Sequence, residues 1–517
     1  MKKIFLSLFA LIAIVGMVNA QRVWAYGLNL EQSGDELTFT FISTTDATDA
    51  KLLFVDENGD VKGEVTVNDV VEGENVVDLT LNQIPATGTL NWAVELSADA
   101  IDEVYEVTED KDDFYFYLSQ GVATNNNPQS PHFGKIYVAN PVSGKEDGLS
   151  KHSQTQKNGI YVFDPLLNLE NYGEGYTPLN VSFTDGWDAI HRIAVSPVDG
   201  TVAFVKWDVE PFTVYTEDPD SLDMLEWWDE ATDITPTLNQ PVAICYDKEG
   251  TLCVLCYDGK GETSSIYSIY KMTDTIAEPV FTQEGWIVSG RSSIASDGRG
   301  GYWVASKPTD NATHTGKFMH VSEYGIDMEI TTGDAEEGFP ENFNRAQVAY
   351  DIERDILALG GGGKVTLFNV TYDEYNEPTT LTKWLETPMF NEEKPKWNTD
   401  GIAFDYAGDI IVMCASNERF YKFALPTDEN TCTTPAPLDQ IIKIEAKEDG
   451  GDGDGEKEDS GNEDGEKEDG EEDGEEEGDA VTNTYVSSNQ NRKQLINGQL
   501  YITRQGKLYN ALGQQMQ

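Results

Sequence analysis

Positive charge is what this sequence has least of. Its 517 residues carry 35 Lys and Arg against 92 Asp and Glu, which gives a formal net charge of −57 at pH 7. Proteins that bind nucleic acid need a basic surface for the phosphates, so this balance excludes nucleic acid as an expected partner. It also disfavours contact with anionic lipid. Much of the acid is local, because residues 447–480 are nearly all Glu, Asp, Gly and a few Lys.

Cysteine and histidine are also scarce, with five residues each. Cys253 and Cys256 form a Cys-x-x-Cys pair, but a strand puts them on opposite faces, and no second pair completes a zinc site. Cys256 and Cys414 hold the same place in two repeats and are interpreted as small buried apolar residues. A disulfide involving Cys432 stays open. The histidines lie without the spacing of metal ligands, at His132, His152, His191, His314 and His320.

Long apolar runs are confined to the N-terminus. After two lysines, an apolar stretch runs from Ile4 to Val18 and reaches Ala20, which predicts a secretory signal peptide over residues 1–20. The run is short for a membrane span and no later stretch is long enough, so no integral membrane segment is predicted. No cysteine follows the cleavage site, so a lipid anchor is not supported. We expect an exported protein, extracellular or at the cell surface, or alternatively periplasmic.

What the sequence does contain is a repeated phrase of strand, turn and strand. Its clearest copy is Gly401-Ile402-Ala403-Phe404-Asp405-Tyr406-Ala407-Gly408-Asp409-Ile410-Ile411-Val412. In a β-propeller the innermost strand of each four-stranded blade crowds the central channel and favours a small side chain, and Asp and Gly form the turn that follows. The small residue recurs six times, about 50 residues apart after a longer first step, at Ala123, Ala194, Cys245, Ala295, Ala349 and Ala403. The spacing predicts a six-bladed propeller over residues 119–446.

Most of these copies are followed by a third strand rich in aromatic residues, such as residues 317–321 and 419–423. The pattern small-x-Asp-x-x-Gly-x-hydrophobic-x-Val with a later aromatic strand is similar to six-bladed propellers of the NHL and lactonase types. That resemblance implies the architecture and leaves the activity open, because propellers host many unrelated functions. A β-sandwich or a string of small β-domains are the alternatives, but repeats of this length suit blades better.

Residues 21–118 are predicted to form a separate β-sandwich, since short alternating strands recur there at close spacing. The phrase Asn75…Leu81-x-x-Ile84-Pro85-x-x-Gly88-x-Leu90-x-Trp92 resembles the immunoglobulin-like modules, of the flagellar-hook-capping type, of secreted Bacteroidetes proteins. The resemblance implies a spacer or a binding accessory rather than chemistry.

Two further segments end the chain. Residues 447–480 cannot bury apolar surface and are predicted to be an extended, disordered acidic linker. Residues 481–517 include a predicted β-hairpin over 497–514, and this segment resembles the end of the type IX secretion sorting domain of exported Bacteroidetes proteins. The resemblance implies the type IX machinery as a partner; a docking hairpin or a degenerate remnant are the alternatives.

The predicted fold class is therefore all-β. An N-terminal immunoglobulin-like β-sandwich is followed by a six-bladed β-propeller, an acidic disordered linker and a terminal β-hairpin.

Residues just before each innermost strand should lie at one rim of the propeller channel, where propellers usually bind ligands. Aromatic rings there offer flat faces to a sugar or an apolar ligand, and arginines suit carboxylates. The alternative is that the rings fill gaps between blades and the arginines pair with nearby acids. The candidate ligand-binding residues are Trp187, His191, Arg192, Gln240, Trp286, Arg291, Phe343, Arg345, Trp397 and Asp400.

We expect an exported or surface-associated, non-catalytic binding protein for a glycan, a peptide or an acidic small molecule, with no cofactor required. The alternative is a metal-dependent hydrolase. Lactonase-type propellers hold a divalent cation such as Ca²⁺ with oxygen ligands at the channel mouth, and this resemblance implies Asn239, Asn344, Asn398 and Asp400 as weak candidates. No complete ligand set with a general base is visible, and no Gly-x-Ser-x-Gly elbow or phosphate loop occurs, so no catalytic residue is named.

Overall fold

Strands account for nearly all of the regular structure. The computed structural model describes residues 21–170, 190–206, 214–217, 224–225, 241–257, 266–273, 276–284, 292–306, 317–331, 347–361, 363–388, 390, 399–445, 492–496, 499–504 and 507–510. Helical elements in these ranges are the 3-10 turns Leu81–Gln83 and Asp112–Phe114 and the short helix α1 (Lys151–Thr155). Within the same ranges, no helix is long and apolar enough to cross a membrane. The predicted signal peptide and acidic linker lie outside the described residues.

The first six strands form an N-terminal β-domain of two antiparallel sheets. They are β1 (Ala25–Ser33), β2 (Glu36–Ser43), β3 (Asp49–Val55), β4 (Val61–Thr66), β5 (Gly73–Thr80) and β6 (Gly88–Ala98). One sheet has the order β1-β2-β5 and the other contains β6-β3-β4. Leu37, Phe39 and Phe41 alternate along β2 and are buried. The Phe39 ring lies edge-on to Trp92 inside the core, with centroids 4.9 Å apart. The finer immunoglobulin-like assignment stays a prediction.

The next strands build six blades, numbered 1 to 6 in chain order. Blade 1 has three strands, blades 2 to 5 have four each, and blade 6 takes its fourth strand from β7, earlier in the chain. The strands are β7 (Tyr105–Glu106); β8 (Gly121–Thr124), β9 (Ile136–Asn140) and β10 (Gly159–Phe163); β11 (Ile190–Val195), β12 (Val202–Lys206), β13 (Val214–Glu217) and β14 (Met224–Leu225); β15 (Pro241–Tyr246), β16 (Leu252–Tyr257), β17 (Ile266–Thr273) and β18 (Ile276–Glu284); β19 (Ser293–Ser296), β20 (Tyr302–Ser306), β21 (Lys317–Ser322) and β22 (Gly325–Thr331); β23 (Gln347–Asp351), β24 (Ile356–Gly361), β25 (Lys364–Tyr372) and β26 (Pro378–Glu386); and β27 (Gly401–Phe404), β28 (Ile410–Cys414) and β29 (Arg419–Ala424).

The innermost strands close into a ring. Each of β8, β11, β15, β19, β23 and β27 contacts the next, and β27 contacts β8. The repeated small residues lie on these strands and are nearly buried, as at Ala194 and Ala349. Gly401 illustrates the crowding, because a Cβ there would lie 2.9 Å from the backbone nitrogen of Val122. The predicted all-β class with a six-bladed propeller is confirmed by this strand pairing.

The two ends of the propeller differ in which connections they carry. Because each blade is antiparallel, its first-to-second and third-to-fourth strand turns lie at one end, which we call the turn face; residues 297–301 and 323–324 belong to it. The opposite end, where the chain enters each innermost strand, is the mouth face; Ser292 and Asp400 belong to it.

Strand β7 departs from the predicted domain boundary at residue 118. Tyr105 and Glu106 pair with Ala424 and Phe423 of β29, so this segment of the predicted sandwich range belongs to blade 6. The Arg419 guanidinium lies 2.6 Å from Glu106, which fixes the short strand in place. The outer edge of blade 6 would otherwise present unpaired backbone groups, and β7 covers part of it.

The chain also returns to the N-terminal domain after blade 6. Strands β30 (Asn430–Pro435) and β31 (Ile442–Ile444) both pair with β6, so the predicted propeller range 119–446 includes two strands that belong to the other domain. The eleven-residue β6 is longer than its partner β3, and the two returning strands pair with successive stretches of β6. Ile442, fully buried, completes the core of the N-terminal domain.

The N-terminal domain covers the turn face at blades 6 and 1. Trp24 is 1% exposed and lies against Phe133 and Tyr406, with ring centroids 5.2 and 5.7 Å apart. Arg22 donates to the backbone carbonyl of Ala407 at 2.9 Å and pairs with the buried Asp409 carboxylate at 3.6 Å. Apolar and charged contacts together therefore fix the domain on this part of the propeller.

The cysteines behave as the sequence predicts. Cys253, Cys256 and Cys414 are fully buried, and all five cysteines are present as thiols rather than disulfides. Cys253 packs in a cluster with blade 4 residues, whereas Cys256 packs in a cluster with blade 2 residues. The two side chains thus point to opposite faces of blade 3, and the Cys-x-x-Cys spacing is not a ligand pair.

A separate C-terminal unit spans Glu448–Gln517. Its described strands are β32 (Arg492–Ile496), β33 (Gln499–Arg504) and β34 (Lys507–Asn510), and they form one antiparallel sheet in that order. The predicted hairpin corresponds to β33 and β34, and β32 adds a third strand that the sequence interpretation did not include.

Candidate functional site

Most of the predicted rim residues lie outside the described residues. These are Trp187, Gln240, Trp286, Arg291, Phe343, Arg345 and Trp397, together with the weak metal candidates Asn239, Asn344 and Asn398. The described members are His191, Arg192 and Asp400. His191 and Arg192 lie inside strand β11 rather than before it, and Asp400 directly precedes β27. His191 is the extra residue of a β-bulge, because Ile190 and Arg192 face successive residues of β12.

Arg192 spans the channel at the mouth face. Its guanidinium donates to the backbone carbonyls of Asp400 at 3.1 Å and Ser292 at 3.2 Å, and also to that of Gln120. These carbonyls belong to residues that directly precede the innermost strands of blades 6, 4 and 1, so one side chain from blade 2 ties four blades together. Arg192 is 6% exposed. The N–H groups of its planar guanidinium bond to backbone carbonyls and so stabilise the ring of blades.

The other two described rim residues also make structural bonds. His191 Nδ1 lies 2.9 Å from Gln120 Oε1, and the Asp400 carboxylate accepts the N–H of Ala415 at 2.8 Å. All three are buried. In the described part of the mouth face, the predicted residues are therefore brought together, and their visible contacts stabilise the ring of blades.

On the turn face, the Asp of the repeated strand–turn–strand phrase, which we call the repeat Asp, pairs with a basic residue of the third strand in several blades. In blade 3, Asp247 accepts the N–H of Thr251 at 2.8 Å and pairs with Lys271 at 3.1 Å. In blade 6, Asp405 likewise accepts the N–H of Asp409 at 2.8 Å and pairs with the buried Lys422 at 2.9 Å. The Asp thus fixes the turn through one oxygen and holds the third strand through the other.

Blade 4 has histidine at this place. Asp297 accepts the N–H groups of Arg299 and Gly301 at 2.7 and 2.9 Å, and its second oxygen lies 2.9 Å from His320 Nε2. The other ring nitrogen, Nδ1, lies 2.8 Å from Asp327 on strand β22. Burial alone would raise the pKa of Asp297, but the contacts from His320 and the backbone N–H groups outweigh it, so this pKa lies below its usual value.

Sequence reasoning missed this arrangement, although a signal exists. In three blades, a basic residue occupies the same position of the third strand. It pairs across the sheet with the second-strand residue that lies six positions after the repeat Asp, and these basic residues are Lys271, His320 and Lys422. A basic residue inside an otherwise buried apolar strand needs a partner, and the repeat Asp is the nearest acid of the neighbouring turn.

Around His320 the turn face forms a cleft of about 380 Å³. Its walls come from blade 3 at Lys271 and Pro279, from blade 4 at Arg299 and Asp327, and from the β25–β26 turn of blade 5 at Glu377. Gly301 lies against the ring of His320, and a Cβ there would overlap that ring. The volume is within the usual range of small-molecule sites, which are concave and largely formed in advance.

The blade 5 side of the cleft is held by Arg299. Its guanidinium pairs with Asp355 at 2.7 Å and lies over the ring of Tyr372, 4.2 Å from the centroid. The Tyr350 hydroxyl donates to Asp355 at 2.8 Å. Neighbouring blades are therefore locked together beside the cleft by an ion pair and a cation–π contact.

Two tyrosines stand exposed at the edge of this cleft. Tyr324 on the β21–β22 turn is 84% exposed and Tyr375 on the β25–β26 turn is 74% exposed, and both line the cleft. They are the most exposed large hydrophobic side chains among the described residues. The turns themselves are ordered, because Ser322 Oγ and Asp373 Oδ1 accept the backbone N–H groups of the two tyrosines at 3.3 and 2.8 Å.

In the described ranges, no group of three or more His, Cys, Asp or Glu side chains is arranged to hold a metal ion. Of the four weak metal candidates only Asp400 can be placed, and one of its carboxylate oxygens accepts the N–H of Ala415. A divalent ion held by Asp400 would have to share that carboxylate with the structural bond.

No family model matches this chain, and no curated protein matches it. Solved structures similar to it include a calcium-binding regucalcin from Agrobacterium tumefaciens, at 12% identity and TM-score 0.36, covering 64% of this chain and 96% of that one. A periplasmic gluconolactonase from Pseudomonas aeruginosa matches at 14% identity and TM-score 0.33, covering 52% and 74% respectively. A Hadza microbial sialidase matches at 10% identity and TM-score 0.39, covering 78% and 94%. Likenesses at these levels carry no information about activity, and the propeller assignment rests on this chain's own strand pairing.

Proposed function

We propose that this chain is an exported, non-catalytic binding protein, at the cell surface or released from the cell, whose propeller holds a glycan, a peptide or an acidic small molecule. The observation that carries the proposal is the cleft on the turn face between blades 3, 4 and 5. Its charged walls are fixed by bonds within the protein, so the surface is formed before a ligand arrives. Such preorganisation lowers the entropic cost of binding.

The contacts of His320 favour binding over catalysis at this cleft. A histidine that acts as a general base needs one ring nitrogen directed at the reacting group. Here Nε2 lies 2.9 Å from Asp297 and Nδ1 lies 2.8 Å from Asp327. Both nitrogens are used by carboxylates of the same blade, so the arrangement joins the β19–β20 turn to strands β21 and β22 rather than presenting a base to a substrate.

Export is the second part of the proposal, and it rests on the N-terminal sequence. The signal peptide is proposed to be removed after Ala20, which would leave Gln21 as the first residue. Gln21 is 8% exposed, and its side-chain oxygen accepts a hydrogen bond from Lys422 at 3.1 Å. The C-terminal strands β32–β34 are proposed to engage a type IX secretion machinery.

The test is binding by the full mature chain to a glycan array and a peptide array, with and without a chelator. We expect saturable binding to one ligand class that is unchanged by the chelator. Turnover of a lactone or phosphoester substrate that the chelator abolishes would instead support the metal-dependent hydrolase. Absence of binding on both arrays, and to a panel of acidic small molecules, would contradict the proposed function.

A further inference from the structure

We infer that the cleft around His320 is a site for a neutral glycan, whose sugar rings stack on Tyr324 and Tyr375. This inference rests on the proposed function and names the ligand class and the residues that hold it. The cleft lies on the turn face, whereas the described rim residues His191, Arg192 and Asp400 lie at the mouth face.

The first support is the placement of the two tyrosines. Leaving a large ring in water forfeits the free energy of burial, so exposed rings beside a cleft indicate a surface that is covered by something else. Tyr324 and Tyr375 come from adjacent blades, and each follows a residue whose carboxylate can accept a hydrogen bond, Glu323 and Glu374. Their rings offer flat apolar faces, and their hydroxyls remain able to bond in water.

The second support is the charge of the cleft walls. Lys271 and Arg299 supply positive charge, but each is already paired, with Asp247 and Asp355. The third basic residue of the lining, His320, lies between the carboxylates of Asp297 and Asp327, and the lining also includes the acids Glu323 and Glu377. An anionic ligand would have to displace an existing ion pair, which makes an acidic small molecule the poorest of the proposed ligands.

The third support is the density of hydrogen-bonding groups on a rigid frame. The carboxylate of Glu377 can accept bonds from sugar hydroxyl groups, and so can that of Glu323, which also accepts a bond from the Tyr324 hydroxyl. The amide of Asn376 can both donate and accept. Asn376 holds a left-handed backbone with φ of 64°, which fixes the turn next to Tyr375. A peptide would instead be expected to use an open strand edge or an apolar groove. Rings flanked by hydroxyl-binding groups suit a sugar better.

The experiment uses the full mature chain and a panel of neutral oligosaccharides, with uronic-acid and sialylated oligosaccharides as the anionic arm. Affinity is measured by calorimetry for the wild type and for Tyr324→Ala and Tyr375→Ala. Each alanine variant should weaken neutral-glycan binding about tenfold, which corresponds to roughly 1.4 kcal/mol, because one stacking contact is lost. Tyr324→Phe and Tyr375→Phe keep the ring and should keep most of the affinity. Leu438→Ala, at another exposed apolar residue, is the matched control and should leave the affinity unchanged.

The outcomes separate this inference from the proposed function. If neutral glycans bind and the alanine variants do not weaken them, the site is elsewhere; the inference fails while the binding function stands. If only anionic glycans or only peptides bind, the ligand class is wrong even where Tyr324→Ala reduces binding. If no glycan, no peptide and no acidic small molecule binds, both proposals fail. The tyrosines are exposed, so loss of folding is not expected in any variant, and circular dichroism checks this.

Discussion

The turn face presents the same structural arrangement in two settings. At blade 6, Asp405 and Lys422 are buried beneath the N-terminal domain, with Trp24 packed nearby. At blade 4, Asp297 and His320 lie below an open cleft edged by two exposed tyrosines. Among the described residues, one part of the face is covered by the N-terminal domain and the other part is open. The comparison suggests that the repeat supplies a stable turn and that what covers it decides whether the surface is structural or available for binding.

The largest expected effect comes from removing the buried cation. Lys422→Met leaves Asp405 and Asp409 buried without their main partner, so we expect a loss of about 3–5 kcal/mol in the free energy of unfolding. The matched change at blade 3, Lys271→Met, removes a cation that is 35% exposed and should cost about 1 kcal/mol or less. Urea denaturation of both variants measures the difference. Equal losses in the free energy of unfolding for the two variants would show that burial of the lysine does not set the strength of its ion pair.

Truncation of the apolar contact between the domains should rank next. Trp24→Ala opens a cavity against Phe133 and Tyr406, and we expect a loss of roughly 3–4 kcal/mol in the free energy of unfolding. Tyr324→Ala, on the uncovered part of the same face, should change it by less than about 0.5 kcal/mol. A strongly destabilised Tyr324→Ala protein would mean that the exposed ring supports the fold, and the two parts of the face would no longer be distinct.

The covered part should also have a distinctive pH dependence. Burial raises the pKa of Asp409, and repulsion from Asp405 raises it further. Attraction to Lys422 and Arg22 only partly offsets these effects, so the pKa rises from 3.8 to about 6. A raised carboxyl pKa contributes stability that is fully present below the unfolded value and is lost as pH rises through the folded value. We expect Asp409→Asn to remove a decline of roughly 2–3 kcal/mol between pH 4 and 7. The check is the free energy of unfolding of both proteins across that range, and identical slopes would refute it.

The pH dependence of stability contributed by Asp297, below the cleft, should have the opposite sign and a smaller size. The lowered pKa of Asp297 contributes stability above its unfolded value that is lost as pH falls through the folded value. Asp297→Asn should therefore destabilise the protein at pH 7, by about 1–2 kcal/mol. The cost should shrink as the pH is lowered below about 4. Thermal unfolding midpoints at pH 7 and pH 3.5 test this, and a cost that grows toward acid would contradict the assignment.

The sequence predicts the propeller because its cause is local and repeated. Ala194, Ala349 and Ala403 are small since the innermost strands converge, and the Asp of each turn bonds its own backbone. Strands β7 and β30 are different. Two residues, Tyr105 and Glu106, give no strand pattern, and Thr431 and Thr433 pair with a strand more than 300 positions away. These strands pair with exposed edges of sheets, and those edges form only when the rest of the chain has folded.

The candidate site was harder to predict for a related reason. Arg192 has the chemistry of an anion-binding residue, but the ring brings three backbone carbonyls to it and it bonds to them. Tyr324 and Tyr375 look like ordinary turn residues in the sequence, about 50 positions apart. Closure of the propeller places them on adjacent blades, and their exposure beside a common cleft follows only from the folded structure.

The most direct test of the central claim is a crystal structure of the mature chain with the tightest-binding oligosaccharide of the neutral panel. Our account predicts sugar rings against Tyr324 and Tyr375, with hydroxyl groups bonded to Glu323 or Glu377. A sugar bound instead at the mouth face near Arg192, with the cleft on the turn face unchanged, would contradict it.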